Sequence, residues 1–243
     1  MSSKSTPADI PQPVNDIQGD DRWMSQHKRF VLSTKEGEPE VVFIGDSLIQ
    51  QLSQTELWNR MFEPLHCINF GIGGDQTQHV LWRVQNGEMD CITPKVIVLL
   101  VGTNNYDHKA EEVVDGIVAI AKCITQKQPK AELIVMGLPP RGEKPNKLRD
   151  KIATINAKLA VDIEKVPGNV TFLPIDPSLF VNSEGFISHQ DMYDYVHFTN
   201  KGYNKLFEQL LDLVQDLLHE FVKVENTSQD TDSIAGELAT RIP

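Results

Sequence analysis

The chain of 243 residues is predicted to fold as one three-layer α/β/α domain around a five-stranded parallel sheet. Three observations predict this. Short apolar runs rich in β-branched residues recur, and each is closed by glycine or a polar turn, as buried parallel strands are. Stretches with apolar residues at helical spacing separate the runs. No internal repeat or linker-like composition interrupts residues 20–224, so the alternation implies right-handed crossovers and helices on both faces of one sheet. At this length, one domain of about 200 residues with two tails fits better than two small domains.

In chain order, residues 1–19 carry Pro7, Pro11 and Pro13 among polar residues and read as a flexible or surface-draped arm. Trp23, Met24, Phe30, Val31 and Leu32 then mark a helix that packs on the domain. The first strand is Val41-Val42-Phe43-Ile44, stopped by Gly45; helix signals follow from Ser47 through Trp58 and Met61. Leu65 to Phe70 is the second strand, ending in Gly71-Ile72-Gly73-Gly74-Asp75. Val80, Leu81 and Val84 give a helix stopped by Asn86-Gly87. Val96 to Val101 is the clearest buried strand, closed by Gly102-Thr103-Asn104-Asn105. Val113, Ile117, Ile120 and Ile124 form an amphipathic stripe, Leu133 to Met136 a fourth strand, and Ile152, Ile155, Leu159 and Ile163 the next helix. Val170 to Ile175 is the fifth strand. Leu206, Leu210, Leu213, Leu217 and Phe221 define a long closing helix, and residues 225–243 lose periodicity and read as a disordered tail.

Composition narrows the function. A net charge of −11 disfavours a nucleic-acid partner, which needs a basic surface. No apolar run reaches the ~20 residues that span a bilayer, and the polar N-terminus points to a cytoplasmic protein. Cys67, Cys91 and Cys123 have no motif spacing and read as reduced residues, without a disulfide or metal role.

Ligands in such a sheet bind at the carboxyl ends of the strands. Those ends offer Gly45-Asp46-Ser47, the Gly71–Asp75 turn and Gly102–Asn105; a later loop offers Asp191-Met192-Tyr193-Asp194-Tyr195-Val196-His197. Ser47 at a strand end and helix start is placed either as a nucleophile or as a helix cap. A hydroxyl nucleophile needs a base, and the base an orienting carboxylate. Asp194 and His197, three apart on one turn, supply both. A developing oxyanion needs converging donors, for which the candidates are the Ser47 N–H, an N–H of the glycine turn and the Asn104 amide. Glycine at 73 and 74 permits a turn that a side chain would block. A G-x-S-x-G elbow is absent, which disfavours the α/β-hydrolase fold.

Gly45-Asp46-Ser47, Gly74, Asn104 and Asp194-x-x-His197 match, in order, the blocks of the SGNH (GDSL-type) hydrolases, a flavodoxin-like fold. Over residues of about 15 to 220 the chain further resembles the catalytic subunits of the intracellular type I (Ib) platelet-activating factor acetylhydrolases. The segments that carry this are Gly19 to Ser25, Phe70 to Asp75, His79-Val80-Leu81-Trp82-Arg83, Pro140 to Asn146 and Ile187 to Tyr195. The resemblance implies a serine esterase with Ser47, His197 and Asp194 as triad and Ser47, Gly74 and Asn104 as oxyanion hole. It implies no metal or organic cofactor and a substrate with an sn-2 acetyl ester. Leu48 and Val196, beside the nucleophile and the histidine, would wall the acyl pocket. It further implies dimers of catalytic subunits and association with a WD-repeat protein of the lissencephaly type.

Other readings compete. An acetylated carbohydrate or a lysophospholipid is an alternative substrate, and a non-catalytic partner of a WD-repeat protein an alternative role. His189, Asp191, Asp194 and His197 fit no zinc spacing, so His189 and Asp191 brace the loop or face solvent. The Gly71–Asp75 turn lacks the third spaced glycine of a dinucleotide loop. Trp23, Trp58 and Trp82 read as core or interface residues. Arg22 and Arg29 are either interface or solvated charges, and Arg141 is either paired or an exposed loop charge.

Overall fold

The structure, a computed structural model, describes residues 7–239. Five strands, β1 (Val41–Gly45), β2 (Cys67–Gly71), β3 (Val96–Leu100), β4 (Glu132–Met136) and β5 (Val170–Leu173), form one sheet in the order β2-β1-β3-β4-β5, all pairs parallel. β1 and β3 are fully buried along their length, which is why their sequences are continuous apolar runs rather than alternating ones. The helices are α1 (Arg22–Ser33), α2 (Ser47–Leu52), α3 (Thr77–Arg83), α4 (Ala110–Lys127), α5 (Lys147–Asp162) and α6 (Asn200–Ala239). α3 packs on α4 and α4 on α5. Across the sheet, Phe43 of β1 meets Trp58, Phe62 and Phe207 of α6 with ring centroids 5.3, 5.1 and 6.5 Å away.

The strand order reverses direction at β1, so the crevice beyond the ends of β1 and β3 is the switch point where ligands bind. Register sharpens this. Gly45 sits opposite Gly71 on one side and Leu100 on the other, so the three loops that follow these strands start level and side by side. Gly71 has no room for a side chain, because a Cβ there would lie 2.2 Å from the Gln50 nitrogen of α2. That contact lets α2 sit directly over the end of β2.

Residues 7–19 drape over the domain, one of the two readings their composition allows. Ala8 is buried with its carbonyl accepting from the Thr77 hydroxyl at 2.8 Å, and the Gln12 N–H donates to the Gln78 carbonyl at 3.1 Å. Residues 1–6 lie outside the described residues. At the other end α6 runs on through residue 239, across a stretch read from sequence as disordered; residues 240–243 lie outside the described residues. No proline lies within residues 200–239 to interrupt the helix.

Candidate active site

Ser47 is the first residue of α2, and its helix-capping role falls to its neighbour. The Asp46 carboxylate accepts the Leu48 N–H at 2.9 Å, so the Ser47 hydroxyl has no capping duty. Instead Ser47 Oγ lies 2.9 Å from His197 Nε2, across 150 residues of sequence. His197 Nδ1 lies 2.6 Å from Asp194 Oδ2, and Asp194 Oδ1 accepts the backbone N–H groups of His197 at 2.7 Å and Val196 at 3.1 Å. The three-residue spacing works through a tight hairpin, not a helix. A bridge pairs Met192 with Phe198, the Tyr193 N–H donates to the His197 carbonyl at 3.1 Å, and Tyr195 takes up a left-handed φ of 62° at the tip. Burial pulls the Asp194 carboxyl upward, but the His197 ring and the two N–H donors outweigh it and hold the group below the usual carboxylate range. The carboxylate therefore stays charged against the imidazole.

The oxyanion candidates lie on the loops that follow β1, β2 and β3, whose strand ends are neighbours in the sheet. Gly74 adopts φ +85°, a conformation that side-chain-bearing residues rarely take. The Gly73 N–H is committed to Gln50 Oε1 at 3.1 Å, whereas the Gly74 N–H has no acceptor among the described residues. The Ser47 N–H, at the start of α2, has none within its helix. The Asn104 amide donates one hydrogen to the Asp75 carbonyl at 2.9 Å, and the Gln76 amide holds the Asn104 carbonyl at 2.8 Å. One N–H of Asn104 remains for a ligand. Leu48 is fully buried, its carbonyl accepting from the Tyr203 hydroxyl at 2.8 Å, and Val196 is half-buried beside His197.

Residues around the centre take definite roles. Asp191 braces the hairpin through Lys205 at 2.7 Å and Lys201 at 3.4 Å, while His189 faces solvent. Arg141 neither pairs with an acid nor stands free: it donates to the Thr103 carbonyl at 2.9 Å, supporting the loop that carries Asn104. Trp58 is a core residue, and the Arg29 guanidinium lies 5.5 Å from the Phe30 ring centroid. Tyr193 stacks on His197 with centroids 5.9 Å apart and was not anticipated. Neither was a group formed by buried Asp75, Arg83, Glu88 and His27 with half-buried Trp23, next to the oxyanion turn. Its sequence signal was an arginine inside the apolar run Val80 to Val84, since a charge on a buried helical face demands partners.

Asp46 carries a second consequence. Its Oδ2 is buried without a partner among the described residues. Burial pushes the carboxyl up to about 7, with Asp75 adding to the rise and the Leu48 N–H and Arg141 opposing it. A carboxyl raised in the folded state takes up a proton on folding wherever the unfolded chain is already ionised. Its contribution to stability is therefore full below about pH 4 and is lost as pH rises towards 7. Asp46→Asn keeps an acceptor for the Leu48 N–H and removes the titration. The melting temperature of the variant relative to wild type should climb between pH 4 and 7 and level off above pH 8. A difference independent of pH would contradict this assignment.

A strand-end serine linked to a histidine and an aspartate on a parallel sheet is an arrangement suited to ester hydrolysis. The chain belongs to the GDSL-like lipase/acylhydrolase family, whose profile matches residues 43–205, and it is a carboxylic ester hydrolase. Among individual proteins, it is 54% identical over 224 residues to the platelet-activating factor acetylhydrolase IB subunit alpha2 of Rattus norvegicus, covering 92% of this chain and 97% of that one. It is 51% identical over 218 residues to the alpha1 subunit of Homo sapiens, covering 90% and 94%. Solved structures agree on the fold. A GDSL-like lipase from Bacteroides thetaiotaomicron superposes with a TM-score of 0.65 at 20% identity, covering 76% of this chain and 97% of the other. A carbohydrate acetylesterase from Sinorhizobium meliloti gives 0.56 at 13% identity, covering 74% and 100%.

Proposed function

We propose that the protein is a serine esterase that removes the sn-2 acetyl group of platelet-activating factor and similar short-chain acyl phospholipids. The observation that carries the chemistry is the continuous Ser47–His197–Asp194 hydrogen-bond chain, with distances of 2.9 and 2.6 Å. The substrate follows from identity above half to relatives named for that reaction.

His197 Nε2 takes the Ser47 proton as Oγ attacks the acetyl carbonyl, and ionised Asp194 stabilises the imidazolium that forms. The carbonyl oxygen becomes an oxyanion facing the Ser47 and Gly74 N–H groups and the free hydrogen of Asn104. As the C–O bond to glycerol breaks, His197 returns the proton to the departing oxygen. Water then attacks the acetyl-serine by the same route, His197 accepting its proton and handing it to Ser47, and acetate leaves.

Leu48 directly follows the nucleophile and Val196 directly precedes the base, so both flank the Ser47–His197 bond. Val196, half-buried, would wall a small acyl pocket directly, whereas Leu48, fully buried, would act from behind that wall. With a matched series of p-nitrophenyl esters, acetate should turn over and octanoate should be at least about tenfold slower in kcat/KM. Platelet-activating factor should be hydrolysed as well. Equal rates on acetyl and octanoyl esters, or turnover confined to acetylated sugars or lysophospholipids, would refute the assignment.

The relatives are named as subunits, which supports dimerisation with a like catalytic chain; the WD-repeat partner rests on the family resemblance. Cys67, Cys91 and Cys123 are all unpaired, which supports a reducing, cytoplasmic setting. No helix among the described residues is long and apolar enough to cross a membrane.

A further inference from the structure

We infer that Trp23, Asp75 and Arg83 are positioning residues that set the aim of the Asn104 amide, which rests on reading Asn104 as an oxyanion donor. Arg83 is fully buried and divides its donors among three acceptors. Nε reaches Asp75 Oδ2 at 2.8 Å, one terminal nitrogen binds the Glu88 carboxylate, and the other reaches the Gly45 carbonyl at 3.1 Å. One guanidinium therefore ties the strand end that leads into Ser47 to the residue that follows Gly74.

Asp75 is the hinge of this arrangement. Its Oδ1 accepts the Trp23 indole N–H at 2.6 Å, its Oδ2 accepts Arg83, and its main-chain carbonyl accepts the Asn104 amide at 2.9 Å. His79 lies 3.9 Å from the same carboxylate but adds no donor there. Its Nδ1 accepts the Gln76 N–H at 3.1 Å, and burial together with Arg83 keeps the ring neutral, with its pKa lowered to about 4. Trp23 and Arg83 thus fix the carboxylate from two sides. Behind them, His27 Nδ1 lies 2.8 Å from Glu88 Oε1. Removing one donor from a buried carboxylate forces it to move or to take up a proton. The Asp75 carbonyl shifts with its side chain and re-aims the Asn104 amide, and a misplacement of about 1 Å can cost up to ~10²-fold in rate.

Removing Arg83 would leave two carboxylates buried without their cation, a change that costs folding stability as well as activity. Trp23→Phe deletes one N–H and keeps the ring, which makes it the informative change. On p-nitrophenyl acetate it should lower kcat about tenfold, with KM within about twofold of wild type. In an Asn104→Ala background the same change should cost less than about twofold, because its effect passes through the amide already removed. Leu210→Ala, a core truncation away from the site, should lower the melting temperature without lowering kcat at 25 °C. Equal losses from Trp23→Phe in both backgrounds, or a loss below twofold in the wild-type background, would overturn the inference. If Asn104→Ala itself leaves kcat unchanged, the oxyanion reading fails and the inference with it.

Discussion

Ser47→Ala lowers kcat on any ester substrate by about 10⁴-fold or more, leaving only what the oxyanion donors and binding supply. The loss is expected to be almost wholly chemical. Asp46, not Ser47, caps α2 through the Leu48 N–H, so deleting the hydroxyl takes nothing from the helix start. Ser47 Oγ has His197 Nε2 as its partner, and that ring remains held by Asp194 from the other side. Folding stability should therefore stay within about 0.5 kcal/mol of wild type, as for substitutions that touch no structural feature. Activity within tenfold of wild type, measured on purified folded protein, would remove Ser47 from the mechanism.

Asp194→Asn should lower kcat by about 10³–10⁴-fold with little change in KM. The reason lies in which oxygen does what. Asp194 Oδ1 is occupied by the His197 and Val196 N–H groups at 2.7 and 3.1 Å, while Oδ2 faces His197 Nδ1 at 2.6 Å. An asparagine has a single oxygen, and the two N–H donors will hold it at the Oδ1 position. The amide nitrogen then points at Nδ1 and donates to it. That hydrogen bond selects the tautomer protonated on Nε2, which cannot accept the Ser47 proton. A loss smaller than tenfold in steady-state kinetics would show that Asp194 does not set the tautomer.

Most of the architecture was legible because its signals are local. The buried strands β1, β3 and β4 are apolar runs rich in β-branched residues and closed by a glycine, and the alternation with helices leaves few topologies. Ser47, Asn104 and the Asp194–His197 pair were candidates because strand ends are where a parallel sheet gathers its loops, whereas Gly74 was singled out within its turn only by the family resemblance. The hairpin geometry of residues 192–198 was not: three-residue spacing suits a helix turn as well, and only the Met192–Phe198 bridge settles which. The Trp23–Asp75–Arg83 group was hidden for a different reason. Trp23 and Asp75 are 52 residues apart, and the arginine inside Val80 to Val84 signals that a charge needs partners without naming any of them. Local pattern left residues 7–19 between a free and a surface-draped arm, because the socket that Ala8 finds against Thr77 is announced by no neighbouring residue.

The most direct test of Ser47 as the nucleophile is to react the protein with a fluorophosphonate ester and map the adduct by peptide mass spectrometry. Attack by Oγ displaces fluoride and leaves a stable phosphonyl-serine facing the same oxyanion donors. The adduct should lie on Ser47, form in proportion to the loss of esterase activity, and be absent from Ser47→Ala. An adduct on another residue, or equal labelling of wild type and Ser47→Ala, would contradict the assignment.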